Sequence, residues 1–379
     1  MVGVRPSSLA FAALGMASGL AVLAALANGC ALPSFTLAPP STTEDAGPDA
    51  PVEAGPPVCV AATYPDPPGG TDNAVSLPGL VFAVHAIDLG DNGDTPGYDL
   101  DNVCTCFEGA GPSCTGASPQ ISTYCDATGG VDNQAAKLFQ LIELPLGKGL
   151  FGSEFFSDKA SEGVWSLLIR VEGYSGEMND PAVSVSLFPS GGTGGKMPAW
   201  DGTDVWAVSA ESVGDGGVST PLFTSNGGYV SGGVLVATLP TTEVILAGGG
   251  TETITVRLSA GVLTAQIASV GGVWSLKNGV IAARWAAADV FKALSSYRDN
   301  NGNPICTNSG LSYTVVKTTI CNDADILVDG TQPKSAPCDA LSVGIGFSAD
   351  PAVLGSLQDA GAVADGCSPA TDPANDSCP

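Results

Sequence analysis

Residues 165–172 read WSLLIRVE, and every second side chain, Trp165, Leu167, Ile169 and Val171, is large and apolar. Side chains alternate between two faces along an extended chain, so a period of two marks a strand with one face in a core. Ser166, Arg170 and Glu172 take the other face, where Leu168 is the single apolar exception. The same period returns outward in both directions. Val183, Val185 and Leu187 follow the turn-like Asn179-Asp180-Pro181; Ile254, Val256 and Leu258 alternate with Thr255, Arg257 and Ser259; Leu263, Ala265 and Ile267 carry the theme past Gly261. Further strands are expected at Leu80 to Ile87, Val205 to Ala210, Gly233 to Leu239, Val273 to Leu276, Val280 to Trp285 and Leu341 to Phe347. Many short strands between Gly and Pro turns predict a mainly β fold, an antiparallel β-sandwich or barrel-like body. A few short helices interrupt it. Ala135, Leu138, Phe139 and Ile142 follow Asp132 at helical spacing, Val290, Leu294 and Tyr297 follow Asp289, and a third helix is expected from Ser312 to Cys321.

The ends differ from this body. Residues 1 to 30 hold no acid and one base, Arg5, before the apolar run Leu9 to Ala27, which is the layout of an export signal. Ala25-Leu26-Ala27 fits a cleavage site that would release a soluble protein from Asn28, and 19 residues would just span a bilayer uncleaved. Leu26-Ala27-Asn28-Gly29-Cys30 resembles the lipobox of bacterial lipoproteins, with Asn28 as its departure. That resemblance implies a signal peptide over 1–29, a lipid on Cys30, and an envelope location, expected at the outer membrane, held by the lipid alone. Residues 30–58 then form a Pro-rich acidic tether carrying Glu44, Asp45, Asp49 and Glu53 and no base, a composition too poor in apolar surface to fold. The folded domain is expected over 59–360, and an acidic tail over 361–379.

Cysteine parity agrees with a lipidated Cys30. Ten remain, Cys59, Cys104, Cys106, Cys114, Cys125, Cys306, Cys321, Cys338, Cys367 and Cys378, an even set in an exported chain and therefore a disulfide framework. One residue separates Cys104 from Cys106, unlike a zinc knuckle, and two side chains on one strand face bond outward to different partners rather than to each other. Treated as independent, the cluster of four allows three pairings and the other six allow fifteen. Between Cys125 and Cys306 there is none, so burial alone must hold the central strands.

The densest chemistry follows the first strand. Asp88, Asp91, Asp94, Asp99 and Asp101, with Asn102, crowd one Gly-containing loop, and Asp132 and Asn133 follow in GGVDN. Such carboxylates repel unless something neutralises them, and calcium takes six to eight hard oxygens from groups of this kind; the spacing is not that of an EF-hand. A calcium site at these residues is the expectation, with a solvated acidic turn as its ordinary alternative. GYDLDN (97–102) and GGVDNQ (129–134), together with the DAGPDAPVEAG tether, resemble a group of uncharacterised exported proteins and lipoproteins of myxobacteria. The resemblance implies a compartment and a lineage, and no catalytic residues.

Other classes are narrowed by composition. A formal charge of −25 removes the electrostatic drive for nucleic-acid binding. The single His85 excludes HExxH and multi-histidine metal sites, and the glycines between Ser190 and Met197 lack the pattern of a nucleotide phosphate loop. A glycoside hydrolase needs only two carboxylates, which Glu143, Glu154, Glu162, Glu172 or Glu177 would have to supply. Trp200-Asp201-Gly202-Thr203-Asp204-Val205-Trp206 places two aromatics about an acidic turn and is the candidate sugar platform, core packing being the usual fate of such residues. A surface binding or structural module is the leading expectation, its partner a polysaccharide or an envelope protein.

Overall fold

The structure, a computed structural model, describes residues 59–379 apart from 71–74, 92, 94, 108, 118–124, 147–151, 248–252, 299–302, 308–311 and 360–365. The export segment, Cys30, the tether and Asp94 therefore lie outside the described residues. In chain order the strands are β1 Leu80–Asp88, β2 Ser166–Glu172, β3 Asp180–Ser190, β4 Val205–Ser209, β5 Val213–Gly214, β6 Gly217–Pro221, β7 Phe223–Ser231, β8 Val234–Ala247, β9 Thr253–Val270, β10 Val273–Ala286, β11 Ala340–Pro351 and β12 Val353–Gln358. The helices are α1 Ala135–Leu146, α2 Ser153–Ser161, α3 Ala287–Ser296 and α4 Tyr313–Asp323.

Eight strands close into one barrel in the order β1-β11-β10-β9-β8-β7-β3-β2, each antiparallel to its neighbours, with β2 returning to β1. Of the two expected architectures, the barrel is the one realised. The period of two does what it predicts: Phe82, Ile169, Val185, Val230, Leu235, Leu263, Ile281 and Ile345, one from every barrel strand, are buried in a single cluster. Their alternates Ala83, Leu168, Val236 and Ala282 are buried in two smaller clusters. Strands of a barrel must coil, and local bulges supply the bend. The runs on either side of Gly261 are one strand, β9, and those at 273–276 and 280–285 are one strand, β10; register shifts fall at Asn278-Gly279 and near Ala260, both with non-glycine φ in the left-handed region.

The helices gather at the barrel end where β10 stops and β2 and β11 begin. They add Leu138, Phe139, Phe156, Phe291, Leu294 and Ile320 to the main cluster. The faces expected for α1 and α3 are the buried ones. An apolar, filled interior is the inverse of a membrane barrel, whose lumen is polar.

Two outer layers bury the alternates. The parallel pair β4–β12 and the β5–β6 hairpin cover Ala83, Leu168 and Phe188. On the opposite arc, the segment carrying Tyr98 and Leu100 lies over Val236, Val262 and Ala282. Asn133 clamps that second layer to β11, donating to the carbonyls of Pro96 and Gly344 and accepting from the Gly344 N–H, each at 3.0 Å. A Cβ on Gly344 would sit 1.8 Å from the Pro96 carbonyl oxygen. Gly344→Ala should therefore lower stability by about 1–3 kcal/mol through overpacking, read as a fall in denaturant midpoint at unchanged slope; an unchanged midpoint would mean that the loop does not cross β11 there.

All ten described cysteines are paired: Cys59–Cys104, Cys106–Cys125, Cys114–Cys338, Cys306–Cys367 and Cys321–Cys378. Cys104 and Cys106 do bond outward to different partners. The division into independent groups of four and six is corrected, because Cys59–Cys104 and Cys114–Cys338 cross it. Spatial neighbourhood, and not spacing along the chain, sets the pairing. The tail is tied back through Cys367 and Cys378.

Candidate metal centre

The acidic loop leaves β1 and divides. Asp88 accepts the N–H of Gly90 at 2.9 Å and so closes its own turn. Asp91 accepts the backbone N–H of Ser153 at 2.7 Å and its hydroxyl as well. It thereby caps α2, whose own N-cap residue, Gly152, offers no side chain. The structure gives Asp88 and Asp91 other partners: the N–H and hydroxyl at the start of α2 bond to Asp91, and a local turn takes Asp88. Asn133 is likewise a clamp rather than part of the shell.

What does converge is Asp99, Asp101 and Asp132, each offering an oxygen within 4.8 Å of the others. Backbone donors aim them. The Leu100 N–H reaches Asp132 Oδ2 at 2.7 Å, and the Val103 N–H lies 2.8 Å from Asp101 Oδ1 and 3.2 Å from Asp99 Oδ1. Asn102 makes this turn with φ of 60°, a conformation that asparagine tolerates better than most residues. The disulfides Cys59–Cys104 and Cys106–Cys125 staple the layer beside it. Gly130, with φ of +67°, lets the second segment approach: a Cβ there would lie 2.8 Å from Cys104 Sγ and 3.3 Å from Asp99 Oδ2.

Two further carboxylates surround the trio, and the sequence reading missed both. Asp126 follows Cys125 and accepts the Thr105 N–H at 2.5 Å. Asp325, just beyond α4, accepts the Ser342 N–H at 2.9 Å and its hydroxyl at 2.6 Å. Asp126, Asp132 and Asp325 line a cavity of about 250 Å³ together with Gln134. Gln134 is 6% exposed, and its Nε2 has no partner.

Burial and mutual repulsion make this cluster reluctant to ionise. Burial, then the charges of Asp101, Asp325 and Asp126, hold the Asp132 carboxyl far above its ordinary range. Burial raises Asp126 as well, against the pull of the Thr105 N–H. Asp99 is raised by burial and by Asp101, and burial pushes Asp325 up to about 7 despite its bonds to Ser342. Without a cation the cluster keeps protons that free carboxylates would lose. A raised native pKa contributes stability that is complete below the unfolded value of 3.8 and is lost as pH rises through the native value. In chelator the melting temperature should thus fall between about pH 6 and about pH 8, across the Asp325 transition. A flat or rising profile there would contradict the clustering.

The remaining candidates lie elsewhere. Trp206, on β4, is 0% exposed and packed against Leu168 and Phe188 in the smaller core, so it presents no face to a ligand, and the paired platform is corrected to a single half-buried ring. That ring, Trp200, has its centroid 5.1 Å from His85 and 5.5 Å from Trp206. Asp204 accepts the N–H groups of Ala199 and Trp200, and Asp201 accepts the N–H and the hydroxyl of Thr203, so both carboxylates shape the turn. His85 sits at a register shift in β1 with Nδ1 3.0 Å from Asp350, and burial pushes its pKa below 6.5. Glu162 pairs with Lys159 and Glu172 with Arg170, on separate elements.

No family model, curated protein or solved structure matches this chain. The chemistry of the side chains alone therefore carries the functional argument.

Proposed function

We propose that the chain is an exported surface binding module, anchored by a lipid on Cys30, whose loop layer is organised by a calcium ion. The observation that carries the calcium reading is the approach of Asp99, Asp101 and Asp132 to within 4.8 Å. Oxygens at the usual 2.3–2.6 Å from one calcium ion lie about that far apart, and all the donors are hard. Asp126 adds a further oxygen, and the partial exposure of Asp99 and Asp101 leaves room for water to complete the shell. The ion would take the place of the protons that Asp132 and Asp126 otherwise retain, so that its affinity should rise with pH.

The five disulfides support an oxidising compartment. Among the described residues no helix is long and apolar enough to cross a membrane. Anchoring has its own test. In a bacterial host fed labelled palmitate, the wild-type chain should take up label and sediment with membranes; Cys30→Ala should lose the label and become soluble. Label retained by the variant would place the lipid elsewhere and sink this part of the reading.

A further inference from the structure

We infer that the groove between the 62–66 segment and the parting of β7 from β8 is a binding site for an uncharged oligosaccharide. The site deepens the binding-module reading, and it shares Asp99, Leu100 and Asn102 with the loop of the metal centre.

The opening has a structural cause. The β7–β8 ladder joins only Tyr229–Ser231 to Val234–Val236, whereas β8 goes on pairing with β9 as far as Ala247. Beyond that short ladder the two strands diverge, leaving Thr224–Gly227 on one wall and Thr238 and Leu239 on the other. The Tyr64 and Tyr98 segments roof the slot and enclose about 700 Å³, within the range of small-ligand pockets.

The lining selects the ligand. Tyr64 is 38% exposed and meets Tyr98 edge-on, ring centroids 5.6 Å apart. The Tyr98 hydroxyl is held by Thr264 Oγ1 at 2.8 Å, which fixes that corner. Aromatic faces take the apolar face of a sugar ring. Around them stand Asp66, Asp99, Asn102 and Asn226, planar groups able to pair with adjacent hydroxyls. Two of these are carboxylates and none of the described lining residues is a Lys or Arg, which disfavours phosphate, sulfate or uronate. Ser225 supplies an independent pointer: it lines the groove, is 3% exposed, and its hydroxyl has no partner. A buried hydroxyl left unpaired is costly, and a ligand hydroxyl entering the slot would satisfy it. The hydroxyl and amide groups of Thr63, Asn102, Thr224, Asn226 and Thr238 favour a sugar over an extended peptide on the same strand edges.

The test is calorimetric titration of the oxidised full-length chain with neutral hexasaccharides (cello-, laminari-, malto- and chito-series), with hexagalacturonate as the anionic control, each in calcium and in chelator. At least one neutral hexamer should bind, Tyr64→Ala should weaken it tenfold or more, and Asn226→Ala should weaken it several-fold. Binding to no neutral hexamer, equal binding of hexagalacturonate, or affinities unchanged in both variants overturns the inference; the first of these would return the slot to a peptide. Asp101→Asn separates the two readings, since Asp101 does not line the groove. A calcium response absent from wild type with sugar binding intact defeats the metal centre alone, and the reverse result defeats the groove alone.

Discussion

Replacing Cys114 and Cys338 together with serine should cost the body about 5 kcal/mol, the largest loss among the five disulfides on the chain-entropy relation. The reason is the 224-residue separation that this bridge closes, against 19 for Cys106–Cys125, whose removal should cost about 3 kcal/mol. Changing both partners avoids a stray thiol that would reshuffle. The bridge also joins the loop before α1 to the segment that leads into β11. Thr115 pairs with Pro337 beside it, and the Cys338 N–H donates to the Thr115 carbonyl at 2.9 Å. Equilibrium denaturation of the oxidised variants, compared at equal slope, checks the order. If the Cys106–Cys125 variant proves the less stable, loop length is not what sets these costs, and strain or residual structure governs instead.

Calcium at several millimolar should raise the melting temperature, and Asp132→Asn should abolish that response while stabilising the chelated protein near pH 8. The gain from the ion follows RT ln(1 + [L]/Kd), about 2–3 kcal/mol when calcium exceeds Kd roughly a hundredfold. Magnesium, which demands a smaller octahedral shell, should give much less. The sign of the variant's effect comes from burial. Asp132 is 3% exposed, and its ionised form is opposed by Asp101, Asp325 and Asp126. An amide keeps the shape of the protonated acid and an oxygen for the Leu100 N–H, but never ionises. Asp101→Asn, at the more exposed side of the trio, should lose the response with little gain in chelator. An Asp132→Asn protein that still responds to calcium, or that melts lower in chelator, would show that the carboxylates are not arranged as described.

Much of the barrel was legible because burial of alternate residues is written directly into strands such as β2, β3 and β11. Closure was not. A sandwich and a barrel bury the same faces, and what separates them is the pairing of β1 with β11, a contact between distant parts of the chain. β7, FTSNGGYVS, escaped because its polar and Gly-rich half lies where the strands part, and α2, SEFFSDKAS, is too short for a period to emerge. At the metal centre, Asp99, Asp101 and Asp132 stood out through crowding and glycine spacing. Asp91 is drawn off by a helix end 62 residues away, and Asp325 arrives from beyond α4. Local sequence carries neither fact.

The seam between β1 and β11 also sets a timetable. Phe82 pairs with Pro351, so the wall cannot be completed until nearly the whole chain has left the ribosome. Folds that depend on such distant contacts assemble slowly. During synthesis the earliest strands wait without their last neighbour, and a passage across a membrane in the unfolded state would meet little finished structure to undo.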